Sequence, residues 1–330
     1  STDQVDSLTT TQVSGLSTTQ LNTLQTTDVA ALTTTQVRSL TTAQVAELTT
    51  TQVNALETTD IAALTNTQIG SLTTTQTGGL NTTALSGITS TEVAVLSTTQ
   101  INALTTTNAA ALSTTQLDGL TATQFGGLTT TTLNALSTTG VASLSSTQIA
   151  GLSTTQAAAL TTTQVAALET TELRSLTATV LNALSTTNVA TLSTTQVDSL
   201  TTTQVSGLST TQLNALETTD VAALSTTQVR SLTTAQVAAL TTTQVNALET
   251  TDIAALTTTQ VGSLTSTQTG ALTTTALSGL TSTEVAVLST TLLNALSTTN
   301  AAALNTTQID GLTATQVGGL STTNLNALST

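Results

Sequence analysis

The chain has 330 residues with 17 Asp and Glu against three Arg, a formal charge of −14. It contains no Lys, His, Cys, Met, Trp, Tyr or Pro and a single aromatic residue, Phe125. The groups that usually shuttle protons, attack carbonyls or ligate haem and transition metals are missing, so no enzyme activity and no cofactor are expected. The shortage of cations opposes nucleic-acid binding, which draws its affinity from neutralised phosphates. No run of 18 apolar residues occurs, and membrane insertion is not expected either.

Repetition organises everything else. From Leu8 to Leu328 every eighth residue is Leu except Ile88, which makes 41 octads over a single array, residues 1–330. The unit reads [S/T]-T-T-Q-[V/I/L]-x-[A/S/G]-L, as in Thr49–Leu56, and its first residue is Ser or Thr in 34 of 41 octads. Read in chain order within the unit, Ser or Thr followed three positions later by Gln or Glu has the spacing of a capping box. The preceding Leu and the following Val or Ile fall at the two positions of a hydrophobic staple. Acids gather in the cap and first turn, and Arg38, Arg174 and Arg230 in the last turn, in line with the helix dipole. Gly and Ala at positions six and seven mark the expected helix end.

One continuous helix is excluded, because eight residues at about 100° each carry the apolar stripe about 80° further round at every repeat. Each octad therefore predicts one very short helix followed by a reversal. Sorting the octads by parity predicts how they pair. Asn at position six (Asn22, Asn54, Asn102, Asn134, Asn182, Asn214, Asn246, Asn294 and Asn326) occurs only in odd-numbered octads. Acids at position four (Asp28, Asp60, Glu92, Glu172, Asp220, Asp252 and Glu284) occur only in even ones. The expected fold is an all-α solenoid with one octad per helix and two octads per two-helix layer. The alternative is a β-solenoid whose coil likewise takes two octads, which the Thr, Val and Ile content would suit. An octad alone cannot repay helix nucleation, so stability must come from stacking on neighbours.

Along the chain, residues 1–138 match 193–330 without a gap and differ at 19 of 138 positions. Duplication of a 192-residue block is how very large repetitive proteins grow, and the chain is expected to be a segment of something longer. The acids that recur every fourth octad are read as complements to helix dipoles rather than as calcium ligands, since two layers of separation would keep them from sharing one ion. Phe125 and the three Arg residues are isolated departures from the consensus. The Asn ladder is either a binding stripe or an exposed helix face. The Thr runs combine capping with a solvated face, and they would also suit O-glycosylation or, on a flat β-solenoid, ice binding. Two N-glycosylation sequons begin at Asn81 and Asn305.

The motif L-[S/T]-T-x-Q-[V/I]-x-A-L, as at Leu32–Leu56 and Leu224–Leu248, resembles the octapeptide arrays of very large bacterial surface and exported proteins, often labelled adhesins or haem-utilisation proteins. It is also similar to environmental extracellular fibrils that carry glycans. The haem label has no ligand here to support it. The resemblance implies a structural protein, an extracellular or cell-surface fibre, stalk or matrix filament. Its expected partners are further copies of the same repeat and covalent glycans. An adhesin stalk or an ice-binding Thr array is the alternative function.

Overall fold

A computed structural model describes residues 2–328. The array falls into two compact units, residues 1–175 and 176–330, each described by itself. Every octad holds one helix of four to six residues, 41 in all among the described residues, and each helix takes the number of its octad. No strand occurs among them, so the β-solenoid alternative, and with it the flat Thr array that ice binding required, is ruled out.

The helix starts where the capping box places it. In α30 (Thr234–Ala239) the N-cap Thr233 has φ −74° and ψ 158°, its hydroxyl accepts from the Gln236 amide, and the Gln236 side chain accepts from the Thr233 amide. The helix stops without a left-handed residue. Leu240 closes α30 at φ −53°, ψ 138°, and Thr241 then caps the next helix at φ −65°, ψ 156°. Two successive extended residues thus make this corner. No residue has positive φ among those described, so no corner needs Gly. Gly does stand at helix ends, as the C-caps Gly15, Gly79, Gly119 and Gly127 show, but in right-handed or near-bridge backbone.

The expected layer of two helices is also corrected. Within each unit, packed helices stand three apart in sequence: α2 (Thr10–Ser14) on α5 (Thr34–Ser39), α26 (Thr202–Gly207) on α29 (Thr226–Ser231), α34 (Ser266–Gly270) on α37 (Thr290–Ala295). One coil is three octads, with three helices and three corners. The parity in the sequence is real but serves another purpose. Because three is odd, each helix packs on one of opposite parity, so the octads three steps from an Asn-bearing octad carry Ala, Gly or Ser at position six.

The core is the Val, Ile or Leu of position five and the Leu of position eight, for example Val237 and Leu240, packed inside the coil. Phe125 takes a position-five slot and is fully buried there. Each such side chain contributes roughly 1.5–3 kcal/mol when covered. At some of the glycines late in an octad, proximity is the reason. A Cβ on Gly119 would meet the Ser90 carbonyl, and one on Gly87 would stand 2.8 Å from the Thr58 carbonyl, each three octads earlier.

Candidate functional site

The feature repeated in coil after coil is a polar clamp at the corners, built on the position-four Gln. Gln236 is 2% exposed. Its Oε1 accepts from the Thr233 amide at 2.7 Å, completing its own helix cap. Its Nε2 donates to the carbonyls of Val205 and Leu208, both at 2.8 Å, four octads back. Those carbonyls end one helix and enter the corner that leads to the next, where intrahelical partners run out. One amide thus satisfies orphan groups at a helix start in one coil and a helix end in the coil below. Gln68 repeats the geometry on Val37 and Leu40 (3.1 and 2.7 Å), and Gln148 on Leu117 and Leu120 (2.7 and 2.8 Å).

A second link approaches the corners from the other side. Asn54 Nδ2 donates to the Gly79 carbonyl at 2.8 Å, and its Oδ1 accepts from the Asn81 amide at 2.9 Å. Asn102 does the same with Gly127 and Thr129, and Asn246 with Ala271 and Thr273. For these residues the Asn ladder is an inter-coil staple, which replaces both readings of it as a binding stripe or a merely exposed face.

The two sequon asparagines are exposed N-caps. Asn81 Oδ1 accepts from the Ala84 amide at 2.8 Å and Asn305 Oδ1 from the Gln308 amide at 2.9 Å, each doing the work that Ser or Thr does elsewhere. Arg38, Arg174 and Arg230 all lie in the last turn of their helices, the end the dipole reading assigned them.

The position-four acids occupy clamp positions. Asp60, Glu92, Asp220, Asp252 and Glu284 are at most 4% exposed. Glu92 Oε2 accepts from the Thr89 amide at 2.6 Å and its hydroxyl at 2.8 Å, so a carboxylate reproduces the capping half of the Gln geometry. It has no proton for the carbonyl half when ionised. Burial pushes the carboxyls of Asp60 and Asp220 above their ordinary 3.8, opposed by the amides of Glu57 and Glu217 and reinforced by those residues' charges. For Asp252, burial acts first, then the Glu249 charge, against the Glu249 amide. The four-octad spacing of the acids acquires a meaning that two-layer stacking concealed. It is one clamp step, so Asp60 stands over the octad of Asp28, Glu92 over that of Asp60, Asp252 over that of Asp220 and Glu284 over that of Asp252. Among the described residues no group of three or more acids is gathered that could hold a metal ion.

An apolar void of about 10 Å³ lies among Leu293, Leu296, Ala301 and Leu304. Open grooves run between corners, one lined by Thr58, Ser86, Thr89, Ser113 and Gln116, another by Thr194, Asp198, Ser225, Glu249 and Asp252. No helix is long and apolar enough to cross a membrane among the described residues.

No curated protein matches the chain. The ALTTAQ repeat family matches four stretches, residues 21–58, 165–202, 213–250 and 245–282. In the third of these, Leu232-Thr233-Thr234-Ala235-Gln236 carries the core Leu, the cap and the clamp in one run, so the stretches similar to that family contain the residues that build each corner.

Proposed function

We propose that the chain is a non-catalytic structural element of an extracellular or cell-surface fibre, stalk or matrix filament. The observation that supports this reading is the corner clamp. Buried polar groups, the usual material of active sites, are spent here on joining one coil to the next, as Gln68, Gln148 and Gln236 each do. Such an array carries load through many equivalent interfaces instead of one core. The composition, poor in nucleophiles and proton carriers, agrees with it.

The surface suits covalent decoration. Position-one hydroxyls are engaged in caps, whereas position-two and position-three residues such as Thr258 and Thr259 are exposed. O-linked glycans therefore belong on positions two and three, and Asn81 and Asn305 are the candidate N-linked acceptors. Further copies of the repeat are the proposed partners.

Two measurements test the proposal. Immunogold labelling of intact, unpermeabilised source cells should decorate the surface or material shed from it, and labelling confined to the cell interior would refute the location. Stretching the full chain in optical tweezers should give extension in many small steps that reverse on relaxation. A single irreversible rip would refute the load-bearing role.

A further inference from the structure

Four octads depart from the consensus in the same two places; one, Glu169-Thr170-Thr171-Glu172, carries Glu in both, and the other three carry Glu and then Asp. Glu57-Thr58-Thr59-Asp60, Glu217-Thr218-Thr219-Asp220 and Glu249-Thr250-Thr251-Asp252 replace the hydroxyl of the cap and the amide of the clamp with carboxyls. Glu57 and Glu249 make no side-chain cap bond. The deeper residue of each pair, Asp60, Asp220 or Asp252, is buried.

What such a buried Asp meets is known from Asn, which has the same shape and stands at position four elsewhere. Asn108 Nδ2 donates to the Leu80 carbonyl and Asn300 Nδ2 to the Leu272 carbonyl, each 28 residues back and each at 2.6 Å. By the same step Asp60 stands over Leu32, Asp220 over Leu192 and Asp252 over Leu224. Leu224 and Asp252 line one groove. An Asn places a donor at that carbonyl, and an ionised Asp places an oxygen there, against another oxygen. A protonated Asp places a donor again.

The charged groups around these carboxyls are few. Asp60 is on α8 (Thr58–Ile61), which packs on α11 (Thr82–Gly87), with no charge, and on α5, with Arg38 exposed in its last turn. The corner below it belongs to α4 (Thr26–Ala30), which carries Asp28. Asp220 is on α28 (Thr218–Ala222), packed on uncharged α31 (Thr242–Ala247) and on α25 (Thr194–Ser199), which carries Asp198. Its corner belongs to α24 (Thr186–Val189), uncharged. Asp252 is on α32 (Thr250–Ile253), packed on uncharged α35 (Thr274–Ser278) and on α29, with Arg230; its corner carries Asp220 and Glu217. The nearest carboxyl in sequence to each Asp is its own N-cap Glu.

We propose that the three E-T-T-D octads are acid-tightened joints. At neutral pH each is an open clamp, and in mild acid the Asp takes a proton from solvent and donates it to the leucine carbonyl of the coil below. In each unit the open clamps adjoin another acid at the next step, Glu92 over Asp60 and Glu284 over Asp252, so yielding is concentrated along a short run of corners. The raised carboxyls of Asp60, Asp220 and Asp252 agree in sign. A group whose affinity for protons rises on folding adds stability below its unfolded pKa, and that stability is lost as pH climbs through the folded value.

Hydrogen exchange followed by mass spectrometry on the full chain, corrected for intrinsic rates, tests this at pH 4.5 and 7.5. Residues 29–36, 189–196 and 221–228 report the three corners. In the unmodified chain their protection should rise roughly five- to tenfold at pH 4.5, the worth of about one hydrogen bond. The triple variant D60N/D220N/D252N should show that protection already at pH 7.5 and respond little to acid. A charge-matched variant of exposed acids, E47Q/D118N/D310N, should keep the unmodified response. Corners that do not respond to pH, a triple Asn variant that responds like the parent, or a charge-matched variant that abolishes the response would each overturn the proposal.

Discussion

Replacing Gln236 by Ala removes three hydrogen bonds at one corner and leaves the helices themselves unaltered in length. The bonds run from the Thr233 amide to Oε1, and from Nε2 to the Val205 and Leu208 carbonyls. Neutral bonds of this kind contribute about 1 kcal/mol each, and stranding the buried partners adds to the loss. The corner should therefore weaken by about 2–4 kcal/mol, or roughly 30- to 700-fold in local opening. A global unfolding midpoint is the wrong readout, because long repeat arrays need not unfold as one cooperative body. Hydrogen exchange resolved by peptide is the right one. Faster exchange is expected at residues 205–210 and 233–238. The matched control is Gln12, which is exposed and makes the same cap bond from the Thr9 amide at 2.8 Å. Q12A should cost about 1 kcal/mol, the value of a cap. Equal effects at the two sites would mean that the inter-coil half of the clamp contributes nothing, and the reasoning would fail.

The other links can be ranked by the same method. Leu232→Ala empties a buried seam position and should cost about 2–5 kcal/mol, measured as lost protection in its coil; a cost below about 1 kcal/mol would contradict the assigned core. Asn246→Ala cuts the staple to Ala271 and Thr273, but at a part-exposed corner where water can replace it, so about 0.5–1.5 kcal/mol is expected. Two glycines should respond with opposite signs. Gly119→Ala drives a methyl into the Ser90 carbonyl and should destabilise by about 1–3 kcal/mol. Gly262→Ala has its nearest neighbour, the Val287 carbonyl, at 4.0 Å and should stabilise by about 0.5–1 kcal/mol through helix propensity. Peptide-resolved hydrogen exchange in the coil around each glycine would distinguish them, and a shared sign would refute the packing argument.

The helix, its start and its two buried positions were legible in one octad, because the capping box and the staple are local and each fits within a single repeat. The number of helices per coil was not. A corner made by Leu240 and Thr241 in ordinary extended backbone carries no turn signature, so nothing near it in sequence records the angle at which the chain departs. The parity of Asn22, Asn54 and their kin suggested pairs, when it reports alternation up a face of a three-sided coil. The clamp was hidden for a different reason: the capping box already accounted for the Gln. Its trace was nevertheless present. Position four holds Gln in 24 octads and Glu in three, although Glu would serve a helix N-terminus better. A preference for the amide over the acid at that place means a donor is required, and Gln236 shows what receives it.

The odd number of sides has a genetic consequence. Tandem DNA repeats gain and lose units by slippage during replication, and the codons of a single octad would be the easiest step. In this coil such a step would set like octads directly above one another on each of the three faces where the break falls, and would bring clamp and staple there to corners of the wrong parity. Only losses and gains of an even number of octads keep large residues over small. The confinement of position-six Asn to odd octads, kept from Asn22 to Asn326, is the pattern expected where odd slips are discarded.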